Sequence, residues 1–167
     1  LCLVQLSSGD GNAHIVQMPQ GPLAAPNLCR LLSDPAVTKI FHFARIDMLF
    51  FWAHLKVMTA PVYCTKIASR LTRTYTEHHG LKVICASLLG VELDKQQQST
   101  DWGAATLTPE QIQYAASDVL YLHKLKEKFD AMLAREGRAG LAQECFRFLP
   151  TRVLLDAEGW AEQDIFE

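Results

Sequence analysis

The chain has 167 residues, of which 49% are hydrophobic and 20% charged, a composition typical of one soluble globular domain. No apolar run reaches the roughly 18 residues that cross a bilayer, so the sequence excludes a membrane-spanning segment. The formal charge of -2 excludes a domain that grips long nucleic acid by phosphate neutralisation alone, whereas a short oligonucleotide is compatible with it.

The first half of the chain alternates between strand and helix patterns. Residues 1–6 and 13–18 are predicted to be two antiparallel strands, because the dipeptide Asp10-Gly11 between them supplies the positive φ angles of a tight hairpin. A short helix around residues 28–32 ends near Pro35.

A third strand and two helices follow. The strand covers residues 37–43, and the helix over residues 45–55 is apolar almost all round, which predicts deep burial between other elements. Residues 81–89 have the apolar spacing of a helix, and Gly90 stands where its carboxyl cap belongs.

The clearest helix start is the capping box that runs from Thr108 to Gln111, with Pro109 at the first helical position. Its apolar stripe predicts one long helix that ends near Gly137. A further helix over residues 141–148 precedes Pro150, and a polar tail follows. Together these elements predict an α/β domain with a mixed sheet flanked by helices.

The cysteines predict the redox state and compartment of the protein, and the first residue predicts how much of the domain the sequence covers. The five cysteines lie far apart without a C-x-x-C pair, which predicts reduced core residues of a cytoplasmic protein: Cys2, Cys29, Cys64, Cys85 and Cys145. Leu1 is not a methionine and opens directly into an apolar run. We therefore expect residues 1–167 to form a single domain that was cut at its amino end.

Two polar side chains share one face of the capped helix. Tyr114 and Asp118 are four residues apart, so they project from the same side, one turn from each other. Asp118 stands among small and apolar residues, where a carboxylate needs a partner such as a metal ion or another cation.

Asp47 follows the carboxyl end of the third predicted strand. Strand ends of this kind carry many active sites in open α/β sheets. The same position also suits an ordinary first-turn aspartate that the helix dipole favours. The local sequence leaves both interpretations open.

Three cations, Lys66, Arg70 and Arg73, would share one face if residues 65–74 were helical. Such a face can bind an anion, and the alternative is a solvated helix surface.

Two motifs, in this order, resemble the active-site motifs of the RNase D-like DEDDy 3′-5′ exonucleases. The sequence H-F-A-R-I-D at residues 42–47 is similar to their second motif, and Y-A-A-S-D at residues 114–118 is similar to their third, Y-x-x-x-D. Residues 79–82 and 95–102 also resemble segments of that family. The resemblance covers nearly the whole chain and implies an RNase H-like (DnaQ-like exonuclease) fold.

Within this family, the chain most resembles its nano-RNase C branch, small bacterial enzymes without the accessory domains of RNase D. The similar segments are residues 64–69, 95–102 and 148–166. This resemblance implies short single-stranded RNA, down to dinucleotides, as substrate, and a homo-oligomer as the working state.

The family resemblance also implies the chemistry. Family members hold two divalent metal ions, Mg²⁺ or Mn²⁺, about 3.5–4 Å apart with four acidic residues and a tyrosine. Carried over to this chain, Asp47 and Asp118 are metal ligands, and Tyr114 orients or helps to deprotonate the attacking water.

One part of the family's pattern is absent. The first motif, D-x-E, would lie on a strand preceding Leu1, and we expect this first strand of the sheet to be missing from the chain. The only literal D-x-E is Asp156-Ala157-Glu158, which lies in the polar tail after the third motif.

Substrate contacts are expected from a separate group of residues. Short substrates need contacts to their few phosphates, and the candidates are His42, Arg70, Arg73, His79 and Lys95. His14, His54 and His123 are interpreted as ordinary surface or core histidines, since nothing places a partner beside them.

Three functions fit these observations. The first is a metal-dependent 3′-5′ exoribonuclease that degrades short oligoribonucleotides. The second is a catalytically inactive RNA-binding or assembly module of the same fold. The third is a proofreading-type DNA exonuclease domain that accompanies a polymerase.

Overall fold

Short strands and amphipathic helices make up the computed structural model of the protein, which describes residues 1–18, 24–93 and 100–167. Its strands are β1 (Leu3–Leu6), β2 (His14–Gln17), β3 (Lys39–Phe41) and β4 (Val62–Cys64). Its helices are α1 (Pro26–Ser33), α2 (Ala44–Leu55), α3 (Thr65–Thr72), α4 (Leu81–Leu89), α5 (Pro109–Leu120), α6 (Leu122–Arg135) and α7 (Ala139–Leu155), which continues into a π-helical turn over Asp156–Trp160. No helix in these ranges is long and apolar enough to cross a membrane.

The predicted hairpin is confirmed, with a longer connection than expected. β1 and β2 pair antiparallel, with Leu3 opposite Gln17. The connection covers residues 7–13 and uses positive φ angles at Gly9 and Gly11, 84° and 88°, so the turn needs both glycines. A Cβ atom on Gly9 would lie 2.8 Å from the ring of His123, which leaves no room for a side chain there.

The second strand pair is parallel, with Lys39 opposite Val62 and Phe41 opposite Cys64. β3 is shorter than the predicted strand over residues 37–43. In the described ranges, the antiparallel and parallel pairs form separate two-stranded sheets. Both types of pairing are therefore present beside the helices, which confirms the predicted α/β class.

The side chain of Phe51 on α2 contacts residues of both sheets. Phe51 packs in an apolar cluster with Val4 of β1 and Leu32 of α1, and its ring centroid lies 6.3 Å from that of Phe41 of β3. The same helix therefore covers β1 and β3, although these two strands belong to different sheets.

The expected deep burial of α2 is wrong for one of its sides. Ala44, Met48 and Phe51 form a buried stripe, whereas Ile46 and Phe50 are 40% and 48% exposed. The packed layers of the described chain cover one side of this helix only.

The long helix predicted from Thr108 to Gly137 is also wrong, because it divides at Tyr121. The capping box at its start is confirmed, since the Thr108 hydroxyl accepts a hydrogen bond from the Gln111 backbone N–H and the Gln111 side chain accepts one in return. After Leu120 the chain changes direction, so that α5 packs against β1 and β2 while α6 packs against α3 and β3.

Pro150 does not end the preceding helix, contrary to expectation. α7 runs through it to Leu155, although the proline cannot donate a hydrogen bond to the Phe146 carbonyl. Leu149 and Val153, on either side of Pro150, are buried in the larger core, and this burial offsets the missing bond.

Candidate active site

Asp47 and Asp118 come together although 71 positions separate them in the sequence (118 − 47). Asp47 lies in the first turn of α2 and Asp118 in the last turn of α5. Burial raises the pKa of both carboxyl groups to about 6, and the charge of Asp118 raises the pKa of Asp47 further. As a whole residue Asp47 is exposed to solvent, whereas Asp118 is half-buried.

The other side chains around Asp118 come from α5 and α4. Tyr114 lies one turn before Asp118 on α5, is half-buried, and packs with its ring centroid 5.8 Å from that of Trp102. The buried thiol of Cys85 on α4 has its pKa raised to about 11, first by burial and then by the charge of Asp118. Sequence reasoning missed this cysteine as a neighbour of the site, because its apolar context indicated only a core residue.

His42 is a neutral histidine fixed at the carboxyl end of β3. Its Nδ1 lies 2.9 Å from Oγ1 of Thr65, whose hydroxyl donates to the Phe41 carbonyl at 3.2 Å. The histidine nitrogen is therefore the donor in this contact. Burial, and then the charge of Lys66, lowers the pKa of His42 to about 4. Thr65 was not among the predicted site residues, although it directly follows β4.

His79 and the α3 cations extend this cluster. His79 is 7% exposed, and its Nδ1 lies 2.9 Å from Oγ of Ser69. Burial, followed by the charges of Arg70 and Arg73, lowers its pKa. The structure thus brings four of the predicted substrate-binding residues into one basic cluster: His42, Arg70, Arg73 and His79.

Members of this cluster differ in accessibility. Arg73 is 4% exposed and donates through Nη1 to the carbonyl of His78 at 3.1 Å, whereas Arg70 is open to solvent. Arg73 therefore also holds the segment that carries His79. The fifth predicted contact, Lys95, lies outside the described residues.

The literal D-x-E at residues 156–158 has a structural role. Asp156 accepts hydrogen bonds from Arg45 at 2.5 and 2.7 Å and from Arg152 at 2.7 and 3.0 Å. Both arginines also donate to the carbonyl of Ala161, which ties this segment to the start of α2. Two guanidinium groups occupy the carboxylate oxygens of Asp156, so they are not available to a metal ion.

The two aspartates fit a hard divalent cation. Two carboxylates with raised pKa values, one of them raised by the other's charge, gain from a positive ion between them, and their oxygen atoms suit Mg²⁺ or Mn²⁺. Over residues 1–18, 24–93 and 100–167, no group of three or more His, Cys, Asp or Glu side chains is placed to hold a metal. Asp47 and Asp118 are thus two residues that could contribute to a metal site.

Comparison with known proteins places this chain in a family. The family described as 3′-5′ exonuclease matches residues 1–134. Ribonuclease D of Acidiphilium cryptum is 37% identical over 138 residues, which are 83% of this chain and 35% of that protein. The chain therefore spans about a third of the length of this relative.

Solved structures of a second relative match nearly the whole chain. Brucella melitensis NrnC with bound Mg²⁺ is 53% identical, with a TM-score of 0.95 over 99% of this chain and 81% of that one. The same protein bound to pGG is 54% identical, with a TM-score of 0.96 over 99% and 80%. The chain belongs to the 3′-5′ exonuclease family, in its RNase D-like branch close to nano-RNase C.

Proposed function

We propose that the protein is a two-metal-ion 3′-5′ exoribonuclease that degrades short oligoribonucleotides, down to dinucleotides, to mononucleotides. The observation that carries this proposal is the convergence of Asp47, on the helix that follows β3, with Asp118, which has Tyr114 one helical turn away on α5. The Mg²⁺ and the pGG bound to the similar Brucella protein support the choice of metal and of substrate length.

Each of the three residues has a role that its position allows. Asp47 and Asp118 would hold the metal ions, whose positive charge would activate the attacking water and stabilise the leaving oxygen. The Tyr114 hydroxyl would orient this water or help to remove its proton. Water attack breaks the bond between phosphorus and the 3′ oxygen of the preceding nucleotide, which takes up a proton, and releases a nucleoside 5′-monophosphate.

The remaining carboxylates would come from a D-x-E segment other than residues 156–158. We place its strand between β1 and β3, which lie in different two-stranded sheets although Phe51 of α2 packs against both. A strand there would pair with both and join them in one mixed sheet. Reading the gene immediately upstream of Leu1 tests this: an in-frame D-x-E after a β-like run supports it, and a start codon without one opposes it.

Substrate phosphates would bind to the basic cluster of His42, Arg70, Arg73 and His79, and Lys95, which lies outside the described residues, is proposed as a further contact. The net charge of -2 fits a small local cluster better than an extended groove. We further propose that the protein works in the cytoplasm as a homo-oligomer, on the family resemblance.

The proposed activity has two competitors that one experiment separates. The complete protein is incubated with an RNA dinucleotide and with the corresponding DNA dinucleotide, in Mn²⁺ and in chelator. Metal-dependent hydrolysis that prefers RNA supports the exoribonuclease. Equal rates on both sugars indicate a DNA-type exonuclease, and RNA binding without hydrolysis indicates an inactive module, which fits the finding of only two converging carboxylates in the described ranges.

A further inference from the structure

Phe43 has an unusual backbone for an aromatic residue. It is the N-cap of α2 with φ 67° and ψ 47°, in the left-handed region that bulky side chains rarely adopt. Within the described ranges, the other non-glycine residue with a positive φ is Lys56, which ends the same helix, where this conformation is common. Costly backbone conformations persist mainly at functional sites.

Burial does not explain why a phenylalanine occupies this position. Its side chain is 40% exposed, and it belongs to neither apolar core cluster of the described chain. The ammonium of Lys66 lies 3.6 Å from the ring centroid, over one face of the ring. The exposed ring is thus paired with a cation.

The position of this pair relates it to the candidate active site. β3 and β4 are parallel, and the residues that follow them meet at the same edge of the sheet. There His42 contacts Thr65, and the next residues along each chain segment, Phe43 and Lys66, form the ring and ammonium pair. Asp47 lies one helical turn beyond Phe43.

We propose that the ring of Phe43 is a stacking platform for a nucleobase of the substrate, and that Lys66 holds this ring and adds positive charge for the attached phosphate. The proposal rests on the proposed function and adds a specificity-determining contact to it. A planar apolar ring accepts any base, so the contact would favour nucleotides over other phosphodiesters without selecting a base sequence.

Phe43→Gly in the complete protein tests the proposal, with Lys56→Gly as its matched control. Glycine adopts a positive φ without strain, which suits both positions, and it also serves well as an N-cap, the position of Phe43. Both variants should therefore unfold at or above the wild-type urea midpoint. Phe43→Gly should raise the KM for an RNA dinucleotide about tenfold, the usual effect of losing one stacked base, with little change in kcat. Lys56→Gly should leave KM unchanged.

Two results would overturn the platform. One is an unchanged KM in Phe43→Gly; if its urea midpoint is then also lower than that of Lys56→Gly, the ring has a purely structural role. The other is an equal rise in KM for a dinucleotide that lacks one base, whichever of the two bases is missing, because stacking acts only where a base is present.

Binding distinguishes this proposal from the proposed function. The dissociation constant of the same dinucleotide is measured in chelator, where no hydrolysis occurs. If the wild type binds but never hydrolyses the dinucleotide with metal, the exonuclease assignment fails, while weaker binding by Phe43→Gly still supports stacking. If the wild type hydrolyses the dinucleotide and both variants bind and react like the wild type, the stacking proposal fails while the exonuclease assignment stands.

Discussion

Replacing Asp156 with asparagine should destabilise the fold by a measurable amount. The carboxylate accepts four hydrogen bonds from Arg45 and Arg152, and its side chain is 1% exposed. Asparagine keeps one acceptor oxygen but presents an amide N–H₂ and no charge to two guanidinium groups. Breaking a fully buried pair costs about 3–5 kcal/mol, and because the two arginine side chains are 33% and 18% exposed, we expect about 2–3 kcal/mol here.

Urea denaturation followed by circular dichroism measures this loss. With an m-value of about 2 kcal/mol per molar urea, the midpoint should fall by about 1–1.5 M. Glu158→Gln is the control, since it removes the same charge two residues later from an exposed position. Equal midpoints for Asp156→Asn and the wild type would refute the structural role of this D-x-E.

The pH dependence of the difference in urea midpoint between the wild type and Asp156→Asn tests whether the ion pair causes it. Burial alone would raise the pKa of Asp156, but the hydrogen bonds and charges of Arg45 and Arg152 outweigh it and lower the pKa. Such a carboxylate stabilises the folded state above its unfolded pKa of about 3.9, and the stabilisation is lost as the pH falls through the lowered folded pKa. The difference in urea midpoint between the wild type and Asp156→Asn should therefore become smaller in acid. A difference that stays constant would point to a cause other than the ion pair.

Three further predictions concern the site. Asp118→Asn should abolish dinucleotide hydrolysis without changing the far-ultraviolet spectrum, because an amide does not balance metal charge; near-normal turnover would contradict the ligand role. With the pKa values of Asp47 and Asp118 raised to about 6, Mg²⁺ binding should release protons and weaken as the pH falls through about 6. Calorimetry in two buffers measures this, and a pH-independent affinity would count against it. Arg70→Ala should raise the dinucleotide KM several-fold, whereas Lys128→Ala, an exposed cation on α6, should not; equal KM values would remove Arg70 from the substrate site.

Features encoded within a few residues could be predicted from the sequence. The capping box at Thr108 depends on hydrogen bonds between residues three apart, and the cap at Gly90 depends on its own positive φ of 67°. Both are local, so tertiary packing did not alter them. The shared face of Tyr114 and Asp118 is likewise a consequence of helical spacing.

Features decided by packing could not be predicted in the same way. β4 has three residues, too few to show the alternation of a strand, and it forms by pairing with β3. The division at Tyr121 and the passage of α7 through Pro150 both follow from burial against distant elements.

The candidate site depends both on sequence motifs and on tertiary packing. No periodicity relates Asp47 to Asp118, so their pairing was predicted only from the order of two family motifs. Their electrostatic coupling agrees with that expectation. The Thr65 contact that fixes His42, and the approach of Cys85 to Asp118, depend on β4 and α4 packing beside the site, which the sequence alone does not encode locally.

The most direct test of the central claim is hydrolysis of an RNA dinucleotide by the complete protein, with Mg²⁺ or Mn²⁺ and with chelator, beside the Asp118→Asn variant. We predict mononucleotide release that requires the metal, is lost in the variant, and is faster than on the DNA dinucleotide. Metal-independent release, or equal release by the variant, would contradict the assignment of Asp47, Tyr114 and Asp118 to the active site of a metal-dependent exoribonuclease.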